Sequence, residues 1–219
     1  MKLTLPPRVS PMQFDAALKA FAGVVGKGWV LSSDEDRDAY ADIYAPGPET
    51  LWPASAAVAP GSAEEVQAIV RLANQFKTPL WPVSRGKNLG YGQAAPRMAG
   101  SIVLDLGRMN KVLEVDPELG YCVIEPGVGF FDLYEHLARE KAPLWMSVPG
   151  NGWGSVLGNA LDHGLPGPIV DHQDRAVGEQ HERGVALERA GRHEFDPLTG
   201  LEHSTGHRER GTRGLAGER

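Results

Sequence analysis

Between residues 51 and 164, strand-like and helix-like patterns take turns, and each junction is marked by glycine or proline. Such alternation confines the chain to a layered α/β or α+β domain, because each half-apolar element must bury its face against an element of the other kind. Residues 54–59, 79–83 and 101–106 read as strands. Ser62-Ala63-Glu64-Glu65 is a capping box that opens a helix, with Val66, Ile69, Val70, Ala73 and Phe76 on its inward face. Residues 111–115 and 121–125 read as a strand pair joined by Asp116-Pro117-Glu118-Leu119-Gly120. Residues 130–140 then read as a helix and 143–148 as a strand.

Residues 1–50 hold a helix and a connection. Ser10-Pro11-Met12-Gln13 supplies a capping hydroxyl, a proline suited to the first helical position and a glutamine that can reach back. Phe14, Ala17, Leu18, Phe21 and Val25 recur at helical spacing up to Gly26, so a packing helix is expected from Pro11 to Val25. Residues 32–50 are acidic and contain proline, which reads as a surface connection. Residues 165–219 differ in character. They contain no Trp, Tyr, Met, Cys or Lys, but eight arginines, nine glycines and five of the seven histidines. With so little apolar area to offset chain entropy, this tail is expected to be largely disordered.

A net charge of -6 argues against a general nucleic-acid binder, which needs a concentrated positive surface. No apolar run reaches the roughly 20 residues of a membrane span, and the N-terminus lacks the hydrophobic stretch of a signal peptide. A cytoplasmic protein is therefore expected. The single cysteine, Cys122, cannot form an internal disulfide and sits in an apolar run, where it reads as a small buried thiol.

Two segments carry chemistry. Pro82-Val83-Ser84-Arg85-Gly86-Lys87-Asn88-Leu89-Gly90-Tyr91-Gly92 directly follows an apolar strand. Its glycines permit positive φ and bring N–H groups near an anion, while Arg85 and Lys87 can supply charge. No Ser or Thr follows the lysine, so this is not a Walker loop, and the G-x-G-x-x-G pattern is absent. An anion-binding loop and a plain glycine-rich turn both remain open on spacing alone. The second segment, residues 148–160, also leaves a strand through glycines and enters a helical pattern whose N-terminus suits an electron-rich group. Two such loops in one domain point to a large, phosphate-bearing cofactor, the alternative being two loops that merely make tight turns.

Four separated segments carry a resemblance: residues 83–92; Val103-Leu104-Asp105-Leu106 with Met109-Asn110; Val123-Ile124-Glu125-Pro126-Gly127-Val128; and Ser155-Val156-Leu157-Gly158-Asn159. In order and spacing, residues 51–164 resemble the front part of the 4-phenol-oxidising flavoenzymes, the family of vanillyl-alcohol oxidase and the cresol and eugenol hydroxylases. The resemblance implies an α+β fold, the N-terminal part of a two-subdomain FAD-binding domain of the p-cresol methylhydroxylase type. It places Ser84, Arg85, Gly86, Lys87, Asn88, Leu89 and Gly90 at the FAD pyrophosphate, and Gly154, Ser155, Gly158 and Asn159 deeper along the cofactor. The family's phenol-binding tyrosine falls on Tyr91, whose hydroxyl would favour the ionised substrate. The implied reaction is hydride transfer from the benzylic carbon of a para-substituted phenol to flavin, through a quinone methide that water attacks. The aspartate of the oxidase branch falls on Gly150, which favours a dehydrogenase or hydroxylase passing electrons to a cytochrome c or another acceptor. Homo-oligomers of the full-length protein are a further implication, and neither nucleic acid nor membrane is an expected partner.

The resemblance stops at about Gly164, where the family continues into a Gly-Tyr-Thr-Pro-Tyr-like segment, further strands and a substrate-capping domain. The sharp change to arginine, glycine and histidine is the pattern that out-of-frame reading of a GC-rich gene gives, so the tail is expected to be a frame-shift product and the chain alone inactive. The alternative is a non-catalytic flavin-binding or interaction fragment with a disordered tail. Trp145 and Trp153 read as packing residues, and His136 and His163 as surface or cap groups. His203 and His207 are four residues apart but lack supporting helical context, so no metal site is expected.

Overall fold

The structure, a computed structural model, describes residues 3–44, 52–89, 92–146, 152–163, 169–171, 193–195 and 202–204. Helix α1 (Pro11–Val25) starts where the capping residues place it. The Gln13 N–H donates to Ser10 Oγ at 3.3 Å, and the Ser10 N–H donates to Gln13 Oε1 at 3.2 Å. Gly26 ends the helix at φ 87°, a conformation costly for other residues. Phe14, Ala17, Phe21 and Val25 are buried along one stripe.

That stripe packs on α3 (Ala63–Phe76), and both helices cover one face of a four-stranded sheet. The sheet order is β1 (Val30–Leu31), β2 (Ala56–Val58), β4 (Ile102–Asp105), β3 (Leu80–Val83). The last three strands are parallel and β1 is antiparallel to β2. The period of two decides the faces. Ala56, Val58, Ile102 and Leu104 point to the helices, while Ala57, Val83 and Val103 face a second cluster with Ala54 and Ala94. Phe21 and Ile69 have no exposed surface, and each such burial contributes about 1.5–3 kcal/mol.

A third apolar cluster forms farther along the chain. β5 (Val112–Asp116) and β6 (Tyr121–Ile124) make an antiparallel hairpin, α4 (Phe130–Arg139) packs with it, and β7 (Leu144–Met146) completes the layer. Val128, Phe130, Leu133, Leu137, Leu144 and Met146 are its buried residues. The Asp116 carboxylate accepts from the N–H groups of Glu118 and Leu119, which makes the hairpin turn an Asx turn. Cys122 is half-buried in this layer, and burial pushes its thiol up from the usual value.

Some expectations shift. Within the stretch read as a surface connection lies α2 (Asp34–Asp38), capped by Ser33 and Asp36, with Arg37 buried and bonded to Asp34 and the Ser32 carbonyl. Three carboxylates in its first turn favour the positive end of a helix. Val70, expected inward on α3, is 41% exposed because the buried stripe centres on Ile69 and Ala73. Ser62 caps α3, but Glu65 reaches outside the helix, accepting from the Gly61 N–H at 2.7 Å and lying 3.8 Å from Arg108. Of the tail, β8 (Ile169–Asp171) pairs antiparallel with β7. Residues 185–219 are a second unit in which β9 (His193–Phe195) pairs with β10 (Glu202–Ser204). Beyond these strands, the expectation of a disordered tail falls outside the described residues. Among the described residues no helix is long and apolar enough to cross a membrane.

Candidate functional site

The carboxyl ends of the parallel strands position the first glycine loop. Residues 84–89 leave β3, and the Leu106 N–H donates to the Val83 carbonyl at 2.9 Å, so the exits of β3 and β4 stay together. Open sheets bind ligands at this edge. Gly86, at φ 62°, lies where a Cβ would stand 2.9 Å from the Ala94 Cβ, so only glycine fits without movement. Asp105 fastens the floor beside the loop. Its Oδ1 accepts from the Gly107 N–H at 2.9 Å and its Oδ2 from the Tyr40 hydroxyl at 2.8 Å. Burial, with the Asp105 charge second, pushes the Tyr40 hydroxyl far above its ordinary pKa.

The second glycine loop enters α5 (Val156–His163) through Ser155, whose hydroxyl accepts from the Gly158 N–H at 3.0 Å and donates to the Pro126 carbonyl at 2.6 Å. Main-chain bonds tie this loop to residues 128–131. The Phe130 N–H donates to the Gly154 carbonyl (3.2 Å), the Phe131 N–H to that of Gly152 (3.3 Å), and the Val156 N–H to that of Val128 (3.1 Å). A Cβ on Gly158 would lie 3.2 Å from both the Ser84 Oγ and the Ser155 Cβ, so the two loops touch here. A further link joins them where the Asn88 Nδ2 donates to Asp162 Oδ2 at 2.9 Å.

Between the loops lies a cavity of about 650 Å³. Ser84, Arg85, Gly86, Lys87, Asn88 and Leu89 line one side, and Gly154, Ser155, Gly158 and Asn159 the other. Segments some 70 residues apart, each singled out by sequence, thus converge on one space. Gly90, Tyr91 and Gly150 lie outside the described residues, as do the side chains of His163, His203 and His207. Sequence reasoning did not single out Gln93, Arg97, Phe130 or Asp162, which line the same cavity. Gln93 carried a signal only in hindsight: it adopts φ 45°, a region where a non-glycine residue is costly. Arg97 lies 4.8 Å from the Trp52 ring centre. Of the two tryptophans read as packing, Trp145 is half-buried, whereas Trp153 is 65% exposed and meets the Phe131 ring edge-on at 5.9 Å. His136 is half-buried on α4.

The lining fits a large anionic cofactor with planar rings. Lys87 and Arg97 border the cavity beside one carboxylate, Asp162, and a third cation on its rim, Arg85, is paired with Asp132. Leu106, Pro126, Phe130 and Leu157 give apolar walls, and its volume is that of a cofactor cleft rather than a water pocket. No group of three or more metal-ligating side chains occurs among the described residues.

A family model described as FAD binding domain matches residues 54–177, more than half of the chain. The chain belongs to this family of FAD-binding domains, and its cofactor is FAD. More narrowly, it groups with the p-cresol methylhydroxylase type. It is 35% identical over 162 residues to the 4-cresol dehydrogenase (hydroxylating) flavoprotein subunit of Pseudomonas putida, covering 74% of this chain and 31% of that protein. It is 43% identical over 152 residues to 1'-carboxy-chondrochloren decarboxylase of Chondromyces crocatus, covering 69% and 28%. The solved 4-ethylphenol oxidase of Gulosibacter chungangensis, in complex with isoeugenol, superposes with a TM-score of 0.70 at 40% identity, covering 74% of this chain and 31% of that one. The chain thus spans about a third of the length of the relatives it matches.

Proposed function

We propose that this chain supplies the FAD cradle of an oxidoreductase acting on para-substituted phenols. The observation that carries the reading is the convergence of both glycine loops on one cation-bordered cavity. Its likeness to a cresol dehydrogenase subunit and an ethylphenol oxidase supports the substrate class. FAD bound there would supply a two-electron acceptor for the benzylic hydride. The chain's own residues hold and orient it. Lys87, Ser84, Asn88 and the loop N–H groups would face the pyrophosphate, and the small residues of the second loop would let the backbone lie close to a planar ring. Tyr91 would bind the phenolic oxygen and favour its ionised form, which pushes electron density toward the departing hydride. A cytochrome c or another acceptor would take the electrons onward.

A second reading is a flavin-binding module without turnover, in which the same cation-bordered cavity holds FAD alone. One experiment separates the two: residues 1–163 are fused to the remaining part of the Pseudomonas putida flavoprotein subunit. The expected result is a yellow, FAD-loaded protein that oxidises 4-cresol, in which Tyr91→Phe keeps its flavin and loses about 2–4 kcal/mol of transition-state stabilisation. Flavin loading without cresol oxidation favours the second reading, and failure to load flavin rejects both. The 219-residue chain by itself is expected to bind FAD weakly or not at all and to turn over no phenol.

A further inference from the structure

Arg85 borders the cavity, yet its guanidinium is engaged behind it. Its Nη1 donates to the Gly127 carbonyl at 3.0 Å and forms an ion pair with the Asp132 carboxylate. The same Asp132 Oδ2 accepts from the Gly129 N–H at 2.8 Å, at the start of α4. Space for this arrangement is made by glycine, since a Cβ on Gly129 would lie 2.9 Å from Arg85 Nη1. The pair is part-buried, with 30% and 42% of the two side chains exposed, so solvent weakens it without erasing it. The stretch that receives Arg85 also receives the second loop, through Ser155 on Pro126 and the main-chain bonds at Val128, Phe130 and Phe131.

We propose that the Arg85–Asp132 pair is a positioning device: it clamps the first glycine loop to residues 126–132, the segment on which the second loop is already hung, and so sets the spacing of the flavin cradle. Asp132 is thereby a positioning residue for cofactor binding. The inference rests on the FAD-cradle reading and adds a role at the back of that site. It assigns Arg85 chiefly to its own fold, with charge directed away from the cofactor.

Electrostatics and positioning make opposite predictions for Asp132→Asn. If Arg85 directly contacts the pyrophosphate, removing the nearby carboxylate frees a cation for an anion, and FAD binds more tightly. If the pair positions the loop, FAD binds more weakly, by about tenfold. Two measurements on the full 219-residue chain decide: FAD titration by flavin-fluorescence quenching, and amide hydrogen exchange. In Asp132→Asn and Arg85→Gln alike, exchange at residues 84–89 is expected to accelerate several-fold while α1 and α3 keep wild-type protection, which shows that the fold persists. The double variant should bind FAD no more weakly than either single one. Tighter FAD binding in Asp132→Asn, or unchanged exchange in the loop, overturns the proposal. If the wild-type chain binds no FAD, the cradle reading is decided by flavin loading in the fusion described above, and the exchange result decides whether the pair clamps the loop.

Discussion

The two glycine loops border one cavity but are fastened by different means. The first is held largely through side chains: Arg85 on Gly127 and Asp132, Asn88 on Asp162. The second is held by main-chain bonds to residues 128–131 and by one hydroxyl, that of Ser155. A loop fixed through its backbone is insensitive to most side-chain changes and vulnerable to added bulk. A loop fixed through side chains can be loosened one charge or one amide at a time. The first loop is therefore where affinity can be adjusted, and the second is where the frame is set.

The strongest challenge to that contrast is at the segment both loops share. A Cβ on Gly127 would lie 2.7 Å from the carbonyl oxygens of Leu106, Gly107 and Met109, all backbone atoms with little freedom to yield. Gly127→Ala is expected to cost about 3 kcal/mol in denaturant unfolding and to disturb both loops. A loss within error would show that the shared segment is compliant. Next in size, Ser155→Ala removes a helix cap and a bond to Pro126, for an expected loss of about 1–2 kcal/mol. Asn88→Ala should cost less, about 0.5–1 kcal/mol, because Asp162 is exposed and water can replace the amide. Its exchange signature should be confined to residues 84–89 and α5. If the order of these two were reversed, the contrast would be wrong.

Near neutrality the smallest effect is expected at Tyr40. Its folded-state pKa lies above the unfolded value near 10, so the fold favours the protonated phenol. Its contribution is present in full below that value and is lost as pH rises beyond it. Tyr40→Phe should leave stability at pH 7 lowered only by the Asp105 hydrogen bond and should flatten the alkaline fall measured by unfolding between pH 9 and 11.

What could be read in the sequence was local. Ser10 with Gln13, the helical stripe through Phe14 and Phe21, and the short apolar run Ile102-Val103-Leu104 each encode their element within a few residues. Both loops were legible because glycine answers a backbone need that arises on the spot. The clamp was not. Asp132 reads as an ordinary first-turn acid of α4, and its partner is 47 residues away, a pairing that only the fold creates. Charge on Arg85 was visible, but not the direction in which it is spent. Val70 was misplaced because a helix stripe fixes a face only to within about one residue's rotation, and the sheet chose Ile69 and Ala73. Helix α2 carried its own signal, Ser33 with Asp36, which an acidic run of surface character concealed.

The contacts that close the cavity join residues far apart along the chain. Asn88 meets Asp162 across 74 residues, Arg85 meets Asp132 across 47, and Ser155 meets Pro126 across 29. The hairpin of β5 and β6 and helices α1 and α3, by contrast, assemble from neighbours. Closing a long loop costs entropy before any contact offsets it, so structure of this kind is expected late in folding. A refolding chain should regain its helical signal well before it can retain a ligand, and partial unfolding should empty the cavity first.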